Sequence, residues 1–152
     1  MNRLWIVVVL LVAAGGCGED FAIEDQPLGG VVGGQTWVYV AGDTNAFLSD
    51  ERFFASLYAS DFEECGFGGP VAGNSLILNL PMEPGSYDLS LSLNMTFVVE
   101  DSDGISNLIG TDGLLRIDSV TDTTVSGGID ASYDGDNQIN GLFEVAICPD
   151  TQ

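Results

Sequence analysis

Tyr87-Asp88-Leu89-Ser90-Leu91-Ser92-Leu93-Asn94-Met95-Thr96-Phe97-Val98-Val99 alternates apolar and polar residues along its whole length. Tyr87, Leu89, Leu91, Leu93, Met95, Phe97 and Val99 share one side; Asp88, Ser90, Ser92, Asn94 and Thr96 share the other, with Val98 the one exception. Successive side chains of a strand point to opposite faces, so this period of two describes a strand with one dry and one wet face. A helix would scatter the same apolar residues around its circumference. At ~3.3 Å per residue the strand is long, which predicts a bend or bulge within it.

The same pattern extends in both directions. Downstream, Leu115 and Ile117 alternate with Arg116 and Asp118. Val125, Ile129, Ala131 and Tyr133 form a second series, and Ile139, Gly141, Phe143, Val145 and Ile147 a third. Turn chemistry separates the runs: Pro84-Gly85, Thr121-Asp122 and, between the last two, Asp134-Gly135. Upstream, Trp37-Val38-Tyr39-Val40 and Ser75 to Leu80 have strand composition. Arg52 to Ala59 reads two ways. Phe53, Ala55 and Leu57 alternate as in a strand, whereas Phe53, Phe54, Leu57 and Tyr58 would line a helix capped by Ser49. The β surroundings favour the strand. About eight short strands with closely spaced turns predict an all-β fold, an antiparallel β-sandwich, with a β-barrel as the alternative.

The N-terminus is of another kind. Arg3 precedes the apolar run Leu4 to Ala14, which is too short for a bilayer core needing ~20 residues but fits a secretory signal. Residues 1–16 are therefore expected to be a signal peptide, 17–29 a flexible acidic tether, and 30–152 a single domain. Ala14 and Gly16 satisfy the small-x-small rule of the ordinary signal peptidase, which would release a soluble protein with Cys17 free or disulfide-bonded. Ala14-Gly15-Gly16-Cys17 also resembles a bacterial lipobox, with Ala14 where the commonest form has leucine. That resemblance implies lipidation of Cys17. It makes the chain similar to the small β-rich bacterial lipoproteins of unknown function, and Cys17-Gly18-Glu19-Asp20 is similar to the acidic tethers of surface lipoproteins. The implied location is the bacterial envelope, at the outer membrane or cell surface. With Cys17 committed to lipid, Cys65 and Cys148 remain as a pair suited to an oxidising compartment. Cys148 is out of phase with the inward residues of its strand, so the bridge is expected at a sheet edge or rim.

Charge narrows the function classes. The chain has 23 acidic residues, three Arg or Lys in total, no histidine and a formal net charge of −20. Nucleic-acid phosphates need Lys and Arg partners, so nucleic acid is not an expected partner. The absence of histidine and lysine removes Ser-His-Asp, Cys-His and Schiff-base chemistry. Gly29-Gly30-Val31-Val32-Gly33-Gly34 has no following Lys and does not read as a phosphate loop. Two carboxylates could hydrolyse a glycosidic bond, and Glu63-Glu64 and the acids around Asp101 to Asp103 are the densest candidates. Calcium, which accepts several oxygen ligands in loops, is the candidate cofactor. Its candidate ligands are Asp101 and Asp103 in one turn and Asp134 and Asp136 in another, although Asp, Asn and Gly serve β-turns equally well. The sequence thus predicts a lipid-anchored, non-catalytic binding or envelope-structural module, joined to the membrane through its lipid and facing an envelope protein or a glycan. A calcium-dependent adhesion domain and a carboxylate glycoside hydrolase are the alternatives. Exposed aromatics such as Tyr39 or Tyr58 on a sheet face would favour binding.

Overall fold

The computed structural model describes residues 21–45, 52–66 and 71–149. Among them are eleven strands and no helix: β1 (Gly29–Val32), β2 (Gln35–Val38), β3 (Ala41–Asn45), β4 (Arg52–Tyr58), β5 (Ser75–Pro81), β6 (Gly85–Asp88), β7 (Met95–Asp101), β8 (Gly104–Gly110), β9 (Asp112–Val120), β10 (Thr124–Asp134) and β11 (Asn137–Ile147). The all-β class is the one the alternation predicts. The ambiguous segment is strand β4, with Phe53, Ala55 and Leu57 inward.

The strands hydrogen-bond into one curled sheet, with the path β6-β9-β10-β11-β3-β4-β5-β7-β8. The division into two stacked sheets that a sandwich requires is not observed among the described residues; the sheet forms a half-barrel instead. It is also mixed, because β3 runs parallel to β11 through Ala146↔Asp43 and Ile147↔Thr44. A register shift opposite Ser126/Gly127 leaves Asp118 unpaired and marks a bulge in β9, and bulges increase local twist. The curl brings the end of β8 back towards β10: a Cβ at Gly110 would lie 3.7 Å from the Ser132 carbonyl oxygen. The inner face holds one core that includes Phe97, Met95, Leu57, Leu76, Ile117, Ile129 and Val145.

The Tyr87–Val99 stretch is not one strand. It splits into β6, which pairs with β9, and β7, which pairs with β5 and β8. Between them, Ser90 and the Asn94 side chain bond to their own neighbourhood. Ser90 N–H donates to the Leu93 carbonyl at 2.8 Å, Ser90 Oγ accepts from Leu93 N–H at 3.2 Å, and Asn94 Nδ2 donates to the Leu91 carbonyl at 3.1 Å. Serine and asparagine compete for backbone groups in this way, and here the turn wins over the strand. Leu89 and Leu93 still reach the core, but Leu91, at the loop apex, is 87% exposed.

The expected tether is also corrected. Residues 17–20 lie outside the described residues, but Phe21 to Leu28 is fastened to the sheet. Leu28 is fully buried and belongs to the core. Its N–H donates to the Leu142 carbonyl at 2.9 Å, and Leu142 N–H donates back to the Gln26 carbonyl at 2.7 Å. This crossing passes over Gly141, whose φ is +135°; a Cβ there would lie 2.7 Å from the carbonyl oxygens of both Gln26 and Pro27. Only glycine accepts both the dihedral and the contact. The domain therefore begins before residue 30.

Candidate functional site

The docked N-terminal segment and the β10–β11 hairpin together build an open concavity. Asp130 and Asn140 face each other across the hairpin and point to its outer side. Asn140 clamps the segment twice: its Oδ1 accepts from Glu24 N–H and its Nδ2 donates to the Ala22 carbonyl, both at 2.9 Å. Asp130 Oδ2 accepts from Ala22 N–H at 2.8 Å. Ile23 lies over Gly128, where a Cβ would come within 2.5 Å of Ile23 Cγ2. A glycine in the strand thus makes the notch that seats the segment.

Beside this clamp runs an open groove of about 1010 Å³. Phe21 and Glu24 line it from the segment, Asp112 from β9, and Ser132, Tyr133, Gln138 and Asn140 from the hairpin. No cationic side chain is among its lining residues. Tyr133 was expected to point inward with Ala131. A register shift between Ser132 and Asp134 breaks the alternation there, and Tyr133 emerges 51% exposed. Bulges commonly re-aim a side chain in this manner. The groove therefore combines the exposed Tyr133 ring and the partly exposed Phe21 ring with carboxylate acceptors and amides able to donate and accept.

Part of that polar lining has structural work. Asp130 holds Ala22, and Asp134 Oδ1 accepts from Asp136 N–H at 3.0 Å and from Asn137 Nδ2 at 2.9 Å. Asn137 is buried, and its Oδ1 accepts from Gly33 N–H at 2.9 Å, which locks the β1–β2 turn onto the β10–β11 turn. Among the described residues, the side-chain oxygens of Glu24, Asp112, Gln138 and Ser132 make no such bond.

The other candidate residues are spread over the molecule. Cys17 lies outside the described residues. Cys65 and Cys148 form a disulfide, with Cα atoms 5.1 Å apart, joining the loop after β4 to the end of β11. The pair lies at the rim, where Asp43 Oδ2 accepts from Cys65 N–H at 2.8 Å. Asp101 and Asp103 lie in the β7–β8 turn, where Asp101 Oδ1 accepts from the N–H groups of Asp103 (2.7 Å) and Gly104 (3.1 Å). Asp134 and Asp136 flank Gly135 in the β10–β11 turn. Neither pair belongs to a cluster of three metal-ligating side chains among the described residues; the one such grouping, Asp43 with Cys65 and Cys148, has its sulfurs in the disulfide. Glu63 and Glu64 are exposed in the loop before Cys65.

The two tyrosines singled out as surface aromatics are occupied. Tyr39 is half-buried, donates its hydroxyl to the Glu144 carbonyl, and has its ionisation pushed well above the ordinary tyrosine range. Burial is the main cause, followed by the nearby charges of Glu64, Glu144 and Asp43. Tyr58 meets Phe62 edge to face, with ring centroids 4.8 Å apart. The two arginines of residues 17–152 are engaged as well. Arg52 donates to the Ser92 carbonyl, and Arg116 pairs with Asp118 at 2.7 Å, a contact that raises the guanidinium pKa.

Sequence reasoning missed Phe21, Glu24, Asp112 and Gln138, since no local pattern marks them. No family model, curated protein or solved structure matches this chain.

Proposed function

We propose that the chain is a lipid-anchored, extracytoplasmic, non-catalytic binding module of the bacterial envelope, and that its groove takes an uncharged glycan. The observation that carries the ligand is the exposed Tyr133 ring beside hydroxyl, amide and carboxylate groups in an open cleft. A sugar offers an apolar ring face for an aromatic side chain and hydroxyls that both donate and accept, which is what this lining complements. The anchor rests on the lipobox-like Ala14-Gly15-Gly16-Cys17, and the disulfide is compatible with an oxidising compartment. The structural duties of Asp130 and Asp134 favour binding over hydrolysis, because a catalytic carboxylate must be free to exchange protons with its substrate.

The test is a titration of the soluble Cys17→Ser protein with neutral oligosaccharide fragments of the bacterial envelope, followed by NMR. Binding should perturb residues around Tyr133 and Gln138, and Tyr133→Ala should weaken it by about tenfold, the loss of one aromatic contact of ~1.4 kcal/mol. Binding that leaves the groove unperturbed, or that survives Tyr133→Ala unchanged, would remove the groove from the proposal. Intact mass of the protein from its own envelope tests the anchor: a chain beginning at Cys17 with acyl mass added supports it, and the same chain without lipid refutes it.

A further inference from the structure

The clamp on residues 21–28 fixes how close the domain can stand to an anchor at Cys17. Four peptide units lead from Cys17 to Phe21, and in any conformation they reach at most about 14 Å. Were the segment loose up to buried Leu28, eleven units would separate anchor from domain, a reach of about 40 Å. The hydrogen bonds from Ala22 N–H to Asp130, from Glu24 N–H to Asn140 and from Asn140 Nδ2 to the Ala22 carbonyl remove that slack. They also choose which side of the domain is held close, since Phe21, Glu24, Asp130 and Asn140 all line the groove.

We infer that the groove side of the β10–β11 hairpin is a membrane-facing surface, held against the headgroup layer of the leaflet that carries the Cys17 lipid. This rests on the lipid anchor proposed above. The occupant follows from the short length of chain before Phe21 and from where that chain meets the fold. Any glycan the groove takes is then one attached to, or lying on, that leaflet. Glycans of the outer layers, more than a domain's width away, are out of reach.

The test uses the full-length lipidated protein in phosphatidylcholine vesicles, with a fluorescent amino acid encoded in place of exposed Gln138 and an acceptor dye on the lipid headgroups. Two comparison proteins lengthen the leash: one carries eight Gly-Ser residues inserted between Asp20 and Phe21, and the other is Asn140→Ala, which unclamps the segment. Energy transfer should be high in the native protein and fall at least twofold with the insertion, with Asn140→Ala falling in the same direction. Equal transfer in the native and insertion forms, with both still floating with the vesicles, would overturn the close placement and leave the anchor standing. Flotation that is unchanged by Cys17→Ser would overturn the anchor, and this inference with it.

Discussion

The β10–β11 and β7–β8 hairpins are closed by nearly the same chemistry and have different fates. Each turn begins with an aspartate whose Oδ1 accepts from the backbone N–H two residues on: Asp134 from Asp136, and Asp101 from Asp103. In the first hairpin, Asn137 is buried and locked to Gly33, Gly34 N–H donates to the Asp136 carbonyl, and residues 21–28 lie across the strands. In the second, β8 ends the sheet path, and Ile105 and Ile109 stand 68% and 55% exposed. Turn chemistry decides that a hairpin forms. Whether it becomes the floor of a groove or a bare edge is decided by chain segments a hundred residues away.

Four measurements would break or sharpen this contrast. The largest effect belongs to the disulfide, which ties the end of the supported hairpin to a loop 83 residues earlier in sequence. Cys65→Ser with Cys148→Ser should lower unfolding free energy by about 4 kcal/mol in the chain-entropy account, measured by urea denaturation. Asn137→Ala should cost about 2 kcal/mol, because it leaves the part-buried Gly33 N–H without its partner and removes one of the two donors to Asp134 Oδ1. If it cost no more than a surface substitution, the lock between the two turns would be dispensable.

Tyr39→Phe should cost about 1 kcal/mol at neutral pH through the lost bond to the Glu144 carbonyl. It should also change the alkaline limb. The folded tyrosine ionises above the ordinary value of about 10, so its stabilising contribution is complete below that pH and is lost as pH climbs beyond it. The stability gap between wild type and Tyr39→Phe should therefore shrink above pH 10; a gap that widens would contradict the raised ionisation. The smallest effect is expected for Asp101→Ala on the bare hairpin, about 0.5 kcal/mol, with faster hydrogen exchange confined to β7 and β8.

The contrast also explains what could be read in advance. Phe53, Ala55 and Leu57 in β4, Leu115 and Ile117 in β9, and Ile139, Phe143 and Val145 in β11 alternate because one face of each strand is buried, and that requirement is written locally. The Tyr87–Val99 pattern is just as regular, yet its centre is a loop. Alternation records which residues can face a core; it does not record that a second strand is available to pair with, and Ser90 and Asn94 found partners in the turn instead. The groove was less legible still. Tyr133 faces out because of a bulge, and the docking of residues 21–28 depends on Asn140 and Asp130, 116 and 108 positions away from the groups they hold. The disulfide pairing was expected only if the lipobox-like segment commits Cys17 to lipid, whereas the position of Cys148 outside the inward phase of its strand was legible locally.

The clamp between the start of the chain and its last hairpin has a consequence for timing. Residues 22–31 precede by more than a hundred positions the residues of β10 and β11 that hold them to the sheet, and only β2 pairs with β1 sooner. Until β10 and β11 exist, the Leu28 N–H and the clamp on Ala22 have nothing to close against. Docking of this segment must therefore wait for β11, and it must close a loop of more than a hundred residues when it comes, which is the slow, high-contact-order route. Before then β1 has only its hairpin partner β2, and its other edge stays open until β11 arrives.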